Sequence, residues 1–320
     1  MNEETRWFAS DNNAATHPRI MEALARANVG HAIGYGDDPI TARAEKTVGA
    51  LFGDGSVVRF VLNGTGANVY AIGCFAGQGD AVICTECAHI LVDETGAPEA
   101  VTGAQLVPIH TANGKLAAHD VLEVIETYGD THKPKPTVLS LSQPTELGTI
   151  YSIAELKELC DLAHAHGLFV HIDGARLSNA AVGLDVDLKA IVGDSDAVCF
   201  GGTKNGLMFG EAVVFMPRVA KALPDTARLR KTRLQLASKM RYIAAQFEAY
   251  VNENLWRENA AAANASARRL VEGLEKLDIR LEYPPQTNAA FVRIPHPVAE
   301  ELRVKRFFYD WEGGIVRWMA

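Results

Sequence analysis

Short apolar runs rich in β-branched residues alternate with amphipathic helical stretches through the first two thirds of the chain. The runs fall at 57–62, 81–84, 105–109, 137–141, 168–172, 197–200 and 212–216, and each predicts a buried strand. Helical periods predict helices at 66–76, 118–128 and 153–166. Ser152 and Glu155 open the last as a capping box, and Gly167 closes it. Alternation of this kind implies a mostly parallel sheet with helices on both faces, whose ligands bind beyond the carboxyl ends of the strands.

After Pro217 the pattern changes. Long helices are predicted at 234–252 and 259–277, then strand-like runs at 279–283 and 289–294 and a helix after Pro297. The reading is an N-terminal segment (1–52), a large α/β domain (53–217) and a helical region with a smaller α+β domain (218–320). The last eight residues read as a turn entering an apolar strand with no closing element, which suggests that C-terminal residues are missing from this sequence.

Two strand tips carry the most specific chemistry. Asp173-Gly174-Ala175-Arg176 ends one run, and Gly201-Gly202-Thr203-Lys204-Asn205 ends the next. Roughly thirty residues separate Asp173 from Lys204, room for one crossover and one strand, which suits neighbouring tips of one sheet. A lysine amine forms a Schiff base with an aldehyde. A carboxylate beside a pyridine nitrogen keeps that nitrogen protonated and makes the ring an electron sink. The pair therefore points to pyridoxal 5'-phosphate (PLP). Taken singly, the lysine reads as a solvated surface residue and the aspartate as a turn former.

Asn63-Gly64-Thr65-Gly66 follows the first strand and opens a helix, a place where backbone N–H groups bind phosphate. It lacks both the dinucleotide glycine spacing and the Walker lysine. His89 follows the second strand, at the mouth of the expected site, either to stack on the cofactor ring or to move protons.

Composition narrows the classes. A 320-residue chain with 48% hydrophobic and 22% charged residues suits an ordinary globular enzyme. A net charge of −8 without basic clusters argues against nucleic acid, and no apolar run reaches membrane-span length. The first residues lack the features of a secretory leader, and five dispersed cysteines suit a reducing compartment, so a cytoplasmic location is expected. Cys84, Cys87 and His89 have half the makings of a zinc site, but no second pair with ligand spacing exists, and no metal is expected.

Together the motifs resemble the PLP-dependent threonine aldolases of fold type I, within the wider β-eliminating lyase group. The matching segments are Phe8-Ala9-Ser10-Asp11-Asn12, Gly34-Tyr35-Gly36-Asp37-Asp38, Asn63-Gly64-Thr65, Ala88-His89, Thr145-Glu146-Leu147-Gly148, Asp173 to Arg176, Gly201 to Asn205 and Lys239-Met240-Arg241. The likeness is greatest to the bacterial low-specificity branch.

The resemblance implies a large PLP domain with a smaller C-terminal α+β domain, and retro-aldol cleavage of L-threonine or L-allo-threonine to glycine and an aldehyde. Lys204 would carry the Schiff base, Asp173 would pair with the pyridinium nitrogen, and His89 would stack on the ring. Gly64 and Thr65 would bind the phosphate. Arg241, with Lys231, would contact a phosphate, an arrangement open to sharing across a subunit interface. Ser10, Arg176 and Arg317 would hold the amino-acid carboxylate, and Tyr35, Asp93 and His132 would lie near the substrate hydroxyl. The proton acceptor for that hydroxyl is left open between His89 and a water held by His132 or Asp93. A homodimer or homotetramer with shared active sites follows from the same likeness. The alternatives are a PLP-dependent β-eliminating lyase, a phenylserine-type aldolase and a non-enzymatic nucleotide-binding α/β module.

Overall fold

The computed structural model describes residues 7–128 and 130–320. Its centre is a seven-stranded sheet of order β1-β7-β6-β5-β4-β2-β3. The strands are β1 (Val57–Val61), β2 (Asp80–Thr85), β3 (Gln105–Ile109), β4 (Lys135–Ser142), β5 (Phe169–Gly174), β6 (Ala197–Gly201) and β7 (Glu211–Phe215). β2 to β6 pair in parallel, and β7 runs antiparallel to both neighbours. Each of the seven expected strands is present, β3 with the expected bounds and the others shifted by one or two residues at one or both ends.

Both faces of the sheet are covered, and this is why the strands read as unbroken apolar runs. On β6, Ala197 and Cys199 pack with Ala67, Tyr70 and Ala71 of the helix Gly64–Ile72. Val198 and Phe200 point the other way, into the main core with Leu159, Ala180, Phe247 and Tyr250. Phe200 packs against Phe52 with ring centroids 5.5 Å apart. The helix Ile153–Ala165 starts with the expected box: Glu155 N–H donates to Ser152 Oγ at 3.2 Å, and Ser152 N–H donates to Glu155 Oε2 at 2.7 Å.

A second sheet of order β8-β10-β9 is antiparallel: β8 (Ala289–Arg293), β9 (Tyr309–Asp310) and β10 (Ile315–Met319). Val316 and Trp318 face a small core with Leu274 and Phe308, which turns Arg317 to the opposite face. The helices Pro18–Ala27 and Pro39–Ala50 pack on Arg241–Asn252.

The helix expected at 234–252 begins only at Arg241. Leu234 has φ +62°, left-handed backbone that ends the preceding helix Thr226–Thr232, and Gln235 sends its Oε1 to the Leu62 N–H at 3.0 Å. The run at 279–283 is not a strand but a single bridge, Leu281 to Val292. No helix among the described residues is long and apolar enough to cross a membrane.

Candidate active site

The carboxyl ends of the parallel strands, the end of β1 and the start of the reversed β7 all open on one side of the sheet. They enclose a cavity of about 330 Å³ whose wall includes Thr65, His89, Asp173, Arg176, Lys204 and Glu211.

Asp173 and Lys204 meet there because their strands are neighbours, with Asp173 in register with Cys199. The tips approach closely. A Cβ on Gly174 would lie 2.6 Å from the Cys199 carbonyl oxygen, and one on Gly201 would collide with the Ala175 backbone. Asp173 Oδ2 accepts from Asn68 Nδ2 at 2.8 Å, and Oδ1 accepts from the Ala175 N–H at 3.0 Å. Burial alone would raise its pKa. His89, the Asn68 amide, Lys204 and the Ala175 N–H outweigh that and hold it below the ordinary aspartate value. Lys204 sits in the turn Thr203–Asn205, and its amine has no hydrogen-bond partner among the described residues. The Arg176 charge and burial lower its pKa, which favours the free, nucleophilic amine.

His89 begins the four-residue helix His89–Val92. Its Nδ1 lies 2.8 Å from Glu94 Oε1, and that bond, against burial, raises the imidazole pKa. Its backbone N–H donates to Glu146 Oε1 at 2.9 Å, and the same oxygen accepts from Ser142 Oγ at 2.6 Å. Burial pushes the Glu146 carboxyl up. Glu211 Oε2 accepts from the Gly202 N–H at 2.7 Å, and burial pushes this carboxyl up to about 7.

Arg176 is held by a carboxylate of the chain itself: Nε donates to Asp11 Oδ2 at 2.6 Å and Nη2 to Asp11 Oδ1 at 2.9 Å. Burial would raise the Asp11 pKa, but Arg176 holds it low. Arg317 is near enough for its charge to be felt by Arg176, and its guanidinium lies over the Trp311 ring, 4.9 Å from the centroid. Ser10 Oγ accepts from the Asn12 N–H at 3.2 Å and lines, with Asp11 and Lys204, an adjoining groove of about 850 Å³. At the helix Gly64–Ile72, Asn63 Oδ1 takes the Gly66 N–H at 2.7 Å. Gly64 and Thr65 stay on the cavity wall, and a Cβ on Gly64 would meet nothing within 4 Å.

Four expected residues stand apart from the cavity within one subunit. His132 lies exposed in the turn before β4, at the amino end of a strand whose carboxyl end carries the site, so the expectation that it approaches the substrate hydroxyl is corrected for this subunit. Tyr35, Lys231 and Arg241 are not among the residues of the cavity wall. Tyr35 is half exposed at φ +61° with Lys231 Nζ 4.7 Å from its ring centroid, and Arg241 packs over Tyr242. Asp93 is exposed beside the site, close enough to act on the Arg317 charge. Residues given no role from sequence fill the gaps: Asp11 and Glu146 lie inside the quoted motifs, Asn68 one turn beyond the Gly64 loop, and Glu94 five residues after His89.

Among the described residues, His89, Glu94 and Asp173 bring three potential metal-ligand atoms within 4.8 Å of one another. The Asn68 amide donates to both carboxylates, at 2.8 Å each, and so already bridges them.

The sheet order, the lysine on one strand tip and the aspartate on the next define the fold of the type I PLP-dependent enzymes. An aspartate aminotransferase from Thermus thermophilus shares it at a TM-score of 0.70, with 17% identity over 99% of this chain and 85% of its own. The family model of the beta-eliminating lyases matches residues 8–296, and the chain belongs to that family. Similar curated proteins are low specificity L-threonine aldolases. That of Pseudomonas aeruginosa is 39% identical over all of this chain and 94% of its own, and that of Pseudomonas sp. (strain NCIMB 10558) is 37% identical over the same shares. The solved Leishmania major threonine aldolase superposes at a TM-score of 0.93, with 32% identity over 98% of this chain and 94% of its own.

Proposed function

We propose that this chain is a PLP-dependent aldolase that cleaves L-threonine, L-allo-threonine and related β-hydroxy-α-amino acids to glycine and an aldehyde. One observation carries the reading. Lys204, whose amine has lowered pKa and no hydrogen-bond partner among the described residues, shares a cavity wall with an Asp173 held ionised and an Arg176.

The residues fit the cofactor. The cradle at Gly64 and Thr65 is open and stands at a helix N-terminus suited to a phosphate. When bound, PLP supplies an aldehyde that condenses with an amine and a ring that accepts the electrons of a broken bond. Asp173 would hold a proton on its pyridine nitrogen. Lys204 would supply the amine and, later, a proton acceptor or donor. Arg176, with Ser10 and Arg317, fixes the amino-acid carboxylate, since a guanidinium forks a carboxylate in a bidentate way. Fixing the carboxylate sets which bond at Cα is oriented for cleavage. In this reading His89, on the cavity wall, takes the proton of the β-hydroxyl. As that proton leaves, the Cα–Cβ bond breaks, the β-carbon departs as the aldehyde, and Cα is reprotonated to give glycine.

Tyr35, Lys231 and Arg241 serve a neighbouring subunit in this reading, in a homodimer or homotetramer with shared sites. The half-exposed Tyr35 and the highly exposed Leu234, three residues from Lys231, support such an interface. The decisive assay supplies purified protein and PLP with L-threonine, L-allo-threonine and phenylserine and identifies the products. Glycine with acetaldehyde or benzaldehyde is expected. A 2-oxo acid and ammonia would instead make the enzyme an eliminating lyase.

A further inference from the structure

Glu94 is buried with none of its side chain exposed, and nothing in the reaction described so far uses it. Its Oε1 is shared. It receives the Asn68 amide at 2.8 Å and lies 2.8 Å from His89 Nδ1, while Oε2 is buried without a partner among the described residues. A carboxylate already accepting from an amide can only accept again, so His89 carries a proton on Nδ1 and presents Nε2 as its other nitrogen.

The Asn68 amide settles which way this web is wired. Nδ2 gives one hydrogen to Glu94 and one to Asp173, and Oδ1 is left buried without a partner among the described residues. Turned over, the amide would set its oxygen against two carboxylates. The orphaned oxygen is therefore the lesser penalty, and it holds only while both neighbours are acceptors. His89, Glu94, Asn68 and Asp173 thus form one continuous chain across the cavity wall.

We propose that Glu94 is a positioning residue for the reaction: it fixes the His89 tautomer, stabilises the imidazolium formed when Nε2 takes the substrate proton, and through Asn68 keeps the imidazole in register with Asp173. The role rests on the aldolase reading for its chemistry but not for its geometry. The charged and titratable groups facing His89 are Glu94 from its own segment, Asp173 on β5, Lys204 after β6 and Glu146 after β4. Glu94 makes the largest contribution to raising the His89 pKa, Asp173 adds to it, and burial and Lys204 oppose it. A base strengthened in this way by a buried carboxylate follows the orienting logic of catalytic triads.

The test is Glu94→Gln in the full chain loaded with PLP, which keeps the shape and removes the charge. The His89 imidazole is followed by ¹H–¹⁵N NMR, with His89→Asn identifying its signal. Its pKa is expected to fall, because the largest influence raising it is removed. The acidic limb of kcat should move to lower pH by a similar amount, and the plateau should drop about tenfold or more. Glu94→Asp, which restores the charge, should return the titration toward that of the wild type, and it serves as the working variant if the glutamine form does not fold. An unmoved His89 titration, or a uniform loss of activity with no displaced limb, would overturn the proposal. Failure of the PLP reading would show separately, as a wild type that gains no visible absorption with PLP, while the NMR arm still reads the Glu94–His89 coupling.

Discussion

Asp11 grips Arg176 along one edge of the guanidinium, through Nε and Nη2 at 2.6 and 2.9 Å. Asn288 Nδ2 approaches the same carboxylate at 3.4 Å. Asp11 leaves Nη1 unused, so in the proposed reading that edge takes the substrate carboxylate and Asp11 aims the arginine. Charge-assisted hydrogen bonds of this kind are worth about 1.5–3 kcal/mol each, so Arg176→Ala should raise KM for the amino acid roughly ten- to hundredfold. Asp11→Asn should raise it about tenfold through loss of aim. Steady-state kinetics with L-threonine check both, and a lowered KM in Asp11→Asn would show instead that Asp11 competes with the substrate.

Lys204→Ala removes the amine without disturbing a hydrogen bond, since the amine makes none among the described residues. Turnover should fall by about a thousandfold or more, as when a nucleophile is deleted. The absorption band that PLP gives with the wild type should be lost, while far-UV circular dichroism stays unchanged. An unaltered visible spectrum would remove Lys204 from its assigned role.

Gly201→Ala tests whether the close approach of the two strand tips is needed. The added Cβ would press into the Ala175 backbone, which belongs to the same tip as Asp173. Overpacking of this kind costs about 1–3 kcal/mol. Thermal unfolding should show that loss together with weaker PLP retention. A variant as stable and as well loaded as the wild type would mean the tips can separate without harm.

These cases mark what the sequence exposes and what it hides. Asp173 and Lys204 are legible because each ends an apolar run, and the run already says which side of the sheet the polar residue occupies. Glu94 is not legible, because its meaning depends on Asn68 and Asp173 arriving from two other strand–helix units. His132 came in by motif likeness alone. Its place before β4 puts it at the amino end of the sheet, a consequence of strand direction that a motif does not carry. The overlong helix near 234 has a similar origin: Leu234 and Gln235 suit a helix by residue type, but the contact of Gln235 with Leu62 N–H is made across the chain. The reversed β7 was equally hidden, because a buried strand is apolar in either direction.

The surface bearing Tyr35 predicts assembly. Leu234 is 82% exposed, and its N–H bonds the carbonyl of Lys231, whose ammonium lies over Tyr35. A large apolar side chain held in left-handed backbone at such a place suits a covered interface. Leu234→Glu should shift the protein to smaller species in sedimentation equilibrium and lower activity with them. An unchanged mass would place the interface elsewhere.

Glu211 predicts how stability depends on pH. Burial among the β6 and β7 tips raises its pKa from 4.5 to about 7, so the folded chain keeps a proton that the unfolded chain gives up at lower pH. Across that window the native state binds more protons, and stability therefore falls as pH rises from about 4.5 to about 7. The full effect amounts to about 3 kcal/mol at most, from the size of the shift. Glu211→Gln keeps an oxygen for the Gly202 N–H and removes the titration. The wild type should thus lose melting temperature relative to this variant between pH 5 and pH 8, with the gap fully open at the alkaline end. Parallel melting curves across that range would mean that Glu211 ionises in the folded protein as it does in the unfolded chain, and that Lys204 has a carboxylate rather than a carboxylic acid beside it.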